Sequence, residues 1–329
     1  MRRGPLLTLA LVLISTPLTG CGILDGSSSL EDALEVVPGD VDRVTFFDRE
    51  AAVERVGDDL ELLPFRTELD RYLSVMIEDA PFSAADIDWE VVGYVDDSFG
   101  RAWRMDDDLD LDDVADELVE LGYDEDGSGD LRTLEIGLDE VDDEHTYLQS
   151  MQSVTIVPDE HLMITGPLGP DLVDVVDDDE DSAVDTDAFE DLVDSTDDVE
   201  VADLARADTV CSLGDAELSP EQLESSGVTE LGRPDETAYF VHGDEGETRS
   251  VLKFGDDDAA EDDAGAREEL LADGTSPVSG VPYSEFGDFD VETDGDQVRI
   301  DIDYDNPKDV SAVITRRDYP SVCAPSLVE

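Results

Sequence analysis

The stretch best suited to holding a ligand is residues 124–135, Asp-Glu-Asp-Gly-Ser-Gly-Asp-Leu-Arg-Thr-Leu-Glu. It follows the order of an EF-hand calcium loop. Asp124, Asp126 and Ser128 supply oxygens, Gly129 the turn, Asp130 a backbone carbonyl, Leu131 the apolar position and Glu135 a two-oxygen clamp. A helical pattern precedes the loop, as the motif requires, but residues 134–137 read equally as a strand. Acids exceed a quarter of the chain, so approximate matches arise by chance, and 290–301 comes near the same pattern while alternating like a hairpin. The segment therefore has two readings, a calcium loop and a Gly-rich turn. Calcium is the one cofactor the sequence offers.

Other chemistry is weaker. Paired carboxylates could hydrolyse a glycoside with Trp89 and Trp103 stacking on sugar, but with 90 acids no pair stands out, and tryptophan within a hairpin also serves as packing. His145, His161 and His242 are scattered, without ligand spacing to any cysteine. Arg316-Arg317 is a local basic pair that could hold an anion or acidic partner, or pair with Asp318. The nucleophile-elbow, zinc, redox and nucleotide spacings GxSxG, HExxH, CxxC, GxxxxGK[ST] and GxGxxG do not occur. No catalytic residue is assigned, and the expectation is binding without catalysis.

Residues 1–21 carry the most specific signal. Arg2 and Arg3 precede an apolar run over 6–14 interrupted only by Thr8, and Leu18-Thr19-Gly20 leads into Cys21. The run has the length of a signal-peptide core and falls short of the ~20 apolar residues a bilayer span needs. This order resembles the lipobox of bacterial lipoproteins. The resemblance implies that residues 1–20 are removed and that Cys21 is lipidated and becomes the first residue of the mature chain. Export by the twin-arginine route is the alternative reading of Arg2-Arg3, although Gly4-Pro5-Leu6 fits it poorly. Residues 21–29, with Gly26-Ser27-Ser28-Ser29, then form a flexible tether. Cys211 and Cys323 remain; in an exported chain they are most simply one disulfide, the alternative being two buried thiols.

The formal net charge is −71, with 19 Lys and Arg against 90 Asp and Glu. Dropping the two arginines of residues 1–20 makes it −73. Only Lys253 and Lys308 are lysines, and aspartate dominates the acids. Excess Asp with scarce Lys looks like proteins adapted to high salt, where a Debye length of ~3 Å at 1 M screens the self-repulsion. Dedicated binding of cations or a basic partner is the competing explanation. In either case the chain repels nucleic acid and anionic headgroups, so a lipid must do the anchoring. Hydrophobic residues still make up 40%, enough for a core.

The patterns that must position these residues alternate between the helical and strand periods. Helical stripes run over 30–37, 50–56, 60–76 with Arg66 and Asp70 four apart, 109–121 closed by Gly122, 171–176, 188–193 and 257–272, with a short one at 310–315. Strands fall at 43–47, 89–95 with 101–105, 153–157 with 161–165, 239–241 with 249–254, and 289–292 with 298–304 around Asp294-Gly295. Interleaved hairpins and helices, without a βαβ repeat, predict an α+β fold of antiparallel sheets with helices packed on one face, in two halves of similar size. The expected organisation is 30–207 as one α+β domain and 208–329 as a second or its continuation, closed by the disulfide. No repeat of 20 to 50 residues appears.

The opening helix, the strand Val44-Thr45-Phe46-Phe47-Asp48, Gly122-Tyr123 after an acidic helix and the late cysteine pair resemble uncharacterised lipoproteins of high-GC Gram-positive bacteria. That resemblance implies no particular activity. The expected role is that of a membrane-anchored extracytoplasmic lipoprotein, docking an envelope protein partner through an exposed apolar patch. Solute or calcium binding is the alternative, and a carboxylate glycoside hydrolase stands behind both.

Overall fold

Ser28 caps the first described helix. Its hydroxyl accepts the Glu31 N–H and the Glu31 carboxylate accepts the Ser28 N–H, a reciprocal cap that opens α1, Ser29–Leu34. In this computed structural model the described residues are 28–56, 69, 80–126, 131–137, 141, 148, 150–177, 180–193, 196, 199–206, 209, 211, 226–242, 247–306, 310 and 323. The expected helix over 60–76 with its Arg66 and Asp70 pair, and most of that over 310–315, lie outside them.

The remaining helices are α2 (Arg49–Val56), α3 (Leu111–Glu120), α4 (Gly169–Val176), α5 (Asp187–Val193) and α6 (Asp257–Asp273). Asp110 caps α3 by accepting the N–H groups of Asp112 and Asp113, and Gly122 at φ +107 turns the chain away. The strands are β1 (Arg43–Asp48), β2 (Ile87–Val95), β3 (Ser98–Met105), β4 (Asp124–Asp126), β5 (Arg132–Glu135), β6 (Ser153–Val157), β7 (Leu162–Thr165), β8 (Val199–Arg206), β9 (Glu236–His242), β10 (Thr248–Lys253), β11 (Gly287–Asp294) and β12 (Gln297–Tyr304).

They form one twelve-stranded sheet in the order β11-β12-β10-β9-β8-β1-β2-β3-β7-β6-β5-β4, with every neighbouring pair antiparallel. The fold is α+β. Helices cover both sides of the sheet, where the sequence pattern led to one. The period of two sends neighbouring residues to opposite faces. Phe46, Ala102, Ala202, Phe240 and Val251 pack with α1, α4 and α5 on a first face. Phe47, Val201, Tyr239 and Leu252 pack with α2 and α6 on the second, and Trp103 and Met163 meet α3 there, farther along. Strands with both faces covered lose the polar alternation that marks a one-sided sheet.

The β1–β8 seam divides the sheet into five strands on one side and seven on the other, with Phe46 opposite Ala202 and Thr45 opposite Asp203. Two-point ion pairs fasten it. Arg43 Nε and Nη2 donate to Asp203 at 2.6 and 2.8 Å, and Arg55 of α2 donates likewise to Glu200 at 2.6 and 2.7 Å.

The two sides of this seam follow the same plan. α1 precedes β1 and α5 precedes β8 on the first face, burying residues at the same spacing: Leu30, Ala33 and Leu34 against Phe189, Leu192 and Val193. The hairpins β2–β3 and β9–β10 extend the sheet outward on either side. α3 and α6 then cross on the second face to the outermost strands β4 and β11, and the chain returns inward until β7 pairs with β3 and β12 with β10.

Candidate docking edge

The sequence Gly-Asp-Phe-Asp-Val-Glu-Thr-Asp of β11 alternates strictly, and a two-residue turn at Gly295-Asp296, with Gly295 at φ +63, folds it onto β12. Register places Asp288, Asp290 and Glu292 on the first face with Asp303, Asp301 and Arg299, while Phe289 and Val291 lie on the second with Ile302 and Ile300. Among the described residues β11 has one strand neighbour, β12, and is a sheet edge. The Phe286 carbonyl accepts the Asp305 N–H at 3.0 Å. In an antiparallel ladder this fixes the alternation. The backbone groups of 288, 290, 292 and 294 turn toward β12, and those of 287, 289, 291 and 293 turn outward.

Each side of this edge carries a cleft. On the second face a space of about 360 Å³ lies between α6 and β11, lined by the apolar Leu271, Ala272, Phe289 and Val291 together with Glu268, Ser284, Gly287, Asp288 and Asp290. α6 is held over it by a core helix face of Ala260, Asp263, Arg267, Leu270 and Leu271. The Arg267–Asp263 ion pair within that face is fully buried at 2.9 Å, and Asp263 also accepts the Gly232 N–H at 2.8 Å. Ala266, partly buried, packs against the same cluster beside this stripe.

The other cleft, about 700 Å³, is lined by His242, Glu247, Arg249, Asp288, Asp290, Asp301 and Asp303, together with Thr248, Phe289 and Ile302. Arg249 pairs with Asp301 at 2.7 Å and Arg299 with Asp294 at 2.8 Å. Among the described residues Asp288, Asp290, Glu292 and Asp303 have no cationic neighbour within salt-bridge distance. Helix α5 reaches only the far ends of the adjacent strands, where Lys253 pairs with Asp191 and the Gln297 amide donates to the Asp191 carbonyl.

No protein-family model matches the chain, and no curated protein does. In fold it is similar to TP0453, of which crystal forms I, III and IV align with TM-scores of 0.45, 0.47 and 0.47. The alignments cover 89, 86 and 88% of this chain and 99, 97 and 100% of TP0453, at 12, 12 and 11% identity.

The residues singled out from the sequence fall elsewhere. Both flanks of the calcium-like loop are strands: Asp124 stands opposite Glu135 and Asp126 opposite Thr133 in the β4–β5 hairpin. The helix an EF-hand needs after its loop is therefore β5. Ser128, Gly129 and Asp130 lie outside the described residues, and no group of three or more His, Cys, Asp or Glu among the described residues is arranged to hold a metal. Neighbouring Glu125 instead accepts from Arg132, which also reaches Asp116 of α3.

Trp89 and Trp103 are buried at 7% and 0% exposure, so neither ring is open to a sugar. The Trp103 indole N–H donates to Glu90, whose carboxylate lies 3.4 Å from Arg101. His161 takes the left-handed conformation at φ 49 between β6 and β7, and His242 Nε2 lies 3.3 Å from the Thr196 hydroxyl. Cys21, His145 and Arg316-Arg317 lie outside the described residues. Cys211 and Cys323 form the expected disulfide, joining residues 112 apart across a Cα separation of 5.2 Å.

The edge itself was visible in the sequence as a hairpin over 289–292 and 298–304, but not as a site. What marks it as one is position: an eight-residue strand at the end of the sheet with a cleft on either side. The expected exposed apolar patch has no counterpart among the described residues, where Val119 is the one large apolar side chain that is exposed.

Proposed function

We propose that the protein is a lipid-anchored, extracytoplasmic binding protein that receives an extended segment of another envelope protein at β11. The observation carrying the docking role is the open edge, whose outward N–H and C=O groups at residues 287, 289, 291 and 293 have no strand partner among the described residues. An incoming strand would complete that ladder, as in recognition by strand addition. The anchoring and location rest on the lipobox-like sequence ending at Cys21. No described helix is long and apolar enough to cross a membrane, and the strongly negative charge disfavours adsorption to anionic lipid. Each part has its own test. Cys21→Ser should move the protein from the membrane to the soluble fraction, and continued membrane association would remove the anchor. A photo-crosslinking residue at Thr293 should trap one reproducible envelope protein in cells at native salt, whereas the same residue at Asp126 on the opposite outer strand should not. Equal trapping from both positions, or none from 293, would remove the docking edge.

A further inference from the structure

We infer that the segment received at β11 is an extended strand alternating basic and apolar residues. This rests on β11 being the docking edge and adds the chemistry of its occupant. A strand laid beside β11 inherits its period of two, so successive side chains fall on opposite faces of the sheet. Those on the first face meet Asp288, Asp290 and Glu292, three carboxylates with no salt-bridge partner among the described residues, with Asp303 behind them; the nearby Arg249 and Arg299 are paired to Asp301 and Asp294. Those on the second face meet Phe289 and Val291 and the cleft of about 360 Å³ under α6, lined by Leu271 and Ala272. The first set of positions favours Lys or Arg and the second favours aliphatic side chains.

A second copy of this chain fits poorly. β11 paired with itself would set its acidic face against an identical acidic face, and like charges opposed across a ladder repel. The opposite outer strand shows what a closed edge looks like here. β4 is three residues long, Asp-Glu-Asp, with a carboxylate at every position and no apolar side chain to offer. Short charged edges of that kind resist strand addition. β11 is eight residues long and half-buries Phe289 and Val291 on one side.

The test uses the full chain in detergent at 1 M KCl and fluorescein-labelled nine-residue peptides read by anisotropy. One peptide alternates Lys and Val, a second alternates Glu and Val, a third alternates Ser and Val, and a fourth holds the Lys and Val residues in two blocks. The alternating Lys–Val peptide should bind at least tenfold tighter than the Glu–Val and block peptides. Thr293→Pro should weaken it at least tenfold. The Thr293 N–H points outward by register, so the ring obstructs an incoming strand while leaving the bonds to β12 in place. Ala272→Trp, on the exposed side of α6, fills the cleft from the helix side while leaving the β11 sequence unchanged, and should weaken binding similarly; it serves if the proline variant does not fold. Asp288→Asn with Asp290→Asn should cut the preference for Lys–Val over Ser–Val at least threefold.

If Glu–Val or Ser–Val binds as well as Lys–Val and Thr293→Pro still abolishes binding, the basic partner is refuted and the docking edge stands. If a folded Thr293→Pro and Ala272→Trp both bind like the parent, the docking edge falls with it. If Lys–Val does not bind at millimolar concentration, the basic-strand inference is refuted, and the cross-links from position 293 decide the edge separately.

Discussion

Removing the Cys211–Cys323 bond should destabilise the protein by an amount fixed mainly by the loop it closes. For residues 112 apart the chain-entropy relation gives about 4.8 kcal/mol at 25 °C. Spread over an unfolding entropy of roughly 2.1 cal/mol/K per residue for a chain of 329 residues, this corresponds to a fall in Tm of about 7 to 8 °C. Both sulfurs are buried, at 1% and 0% exposure, so the replacement matters. Serine would add a buried hydroxyl costing about 1–3 kcal/mol if unsatisfied. The clean variant is Cys211→Ala with Cys323→Ala, compared with the parent before and after reduction, by calorimetry at 3 M KCl. Reduced parent and double variant should melt together, about 7 to 8 °C below the oxidised parent. The loop encloses β9 to β12 and α6 and none of β1 to β7, so hydrogen exchange should rise first in the second half of the sheet. An oxidised and a reduced parent melting within 2 °C of each other would refute the loop argument, as would equal loss of protection in both halves.

Gly100 has Leu172 Cδ1 and the Leu168 backbone 2.5 and 3.1 Å from where a Cβ would stand, so Gly100→Ala should push α4 off β3 and cost about 1–3 kcal/mol in urea denaturation. Burial, together with Glu50 and Asp106, raises the Asp88 carboxyl to about 6, against the smaller opposing effect of Arg104. Its protonated form is therefore favoured by folding; this contribution is whole below about pH 4 and lost as pH rises through about 6. Asp88→Asn should melt above the parent at pH 8, with the gap closing by pH 4; a gap independent of pH would refute the assignment. Circular dichroism should show structure gained between dilute buffer and molar KCl, and full folding in dilute buffer would overturn high-salt adaptation as the reason for the charge.

Much of the sheet was legible from sequence because its hairpins announce themselves locally. The 89–95 and 101–105 pair, the 153–157 and 161–165 pair and the 298–304 strand alternate or cluster around turn residues, and all fold as expected, although the first turn is the two residues Asp96-Asp97 and not five. β8 was missed. Its Val-Glu-Val-Ala-Asp-Leu-Ala-Arg looks like one more acidic stretch, yet seven of its eight residues are buried. Its carboxylates belong inside because Arg43 and Arg55 meet them, and those arginines come from more than 140 residues earlier, beyond the reach of any local pattern. The calcium-like reading of 124–135 failed to foresee β4 and β5 for the opposite reason. In so acidic a chain a tight hairpin turn and a cation loop are written with the same residues, and only the strand partner Ser153–Val157 separates them. The edge position of β11 was hidden because its alternation is complete in the sequence while its place at the end of the sheet depends on β12 inserting beside β10.

The matched plan on either side of the β1–β8 seam has a consequence for valency. Two antiparallel strands related by a twofold axis normal to their sheet form the kind of self-complementary contact by which identical subunits close into a finite pair. Here β1 and β8 belong to one chain and already pair antiparallel, so that edge-to-edge contact is made within the molecule. Among the described residues the sheet is open at its two ends, and these differ: three acidic residues at β4, eight alternating ones at β11. If β11 accepts a strand as proposed and β4 refuses one, the molecule is monovalent: it can terminate a sheet it joins but cannot extend one, and crowding would then yield one-to-one complexes in place of fibres.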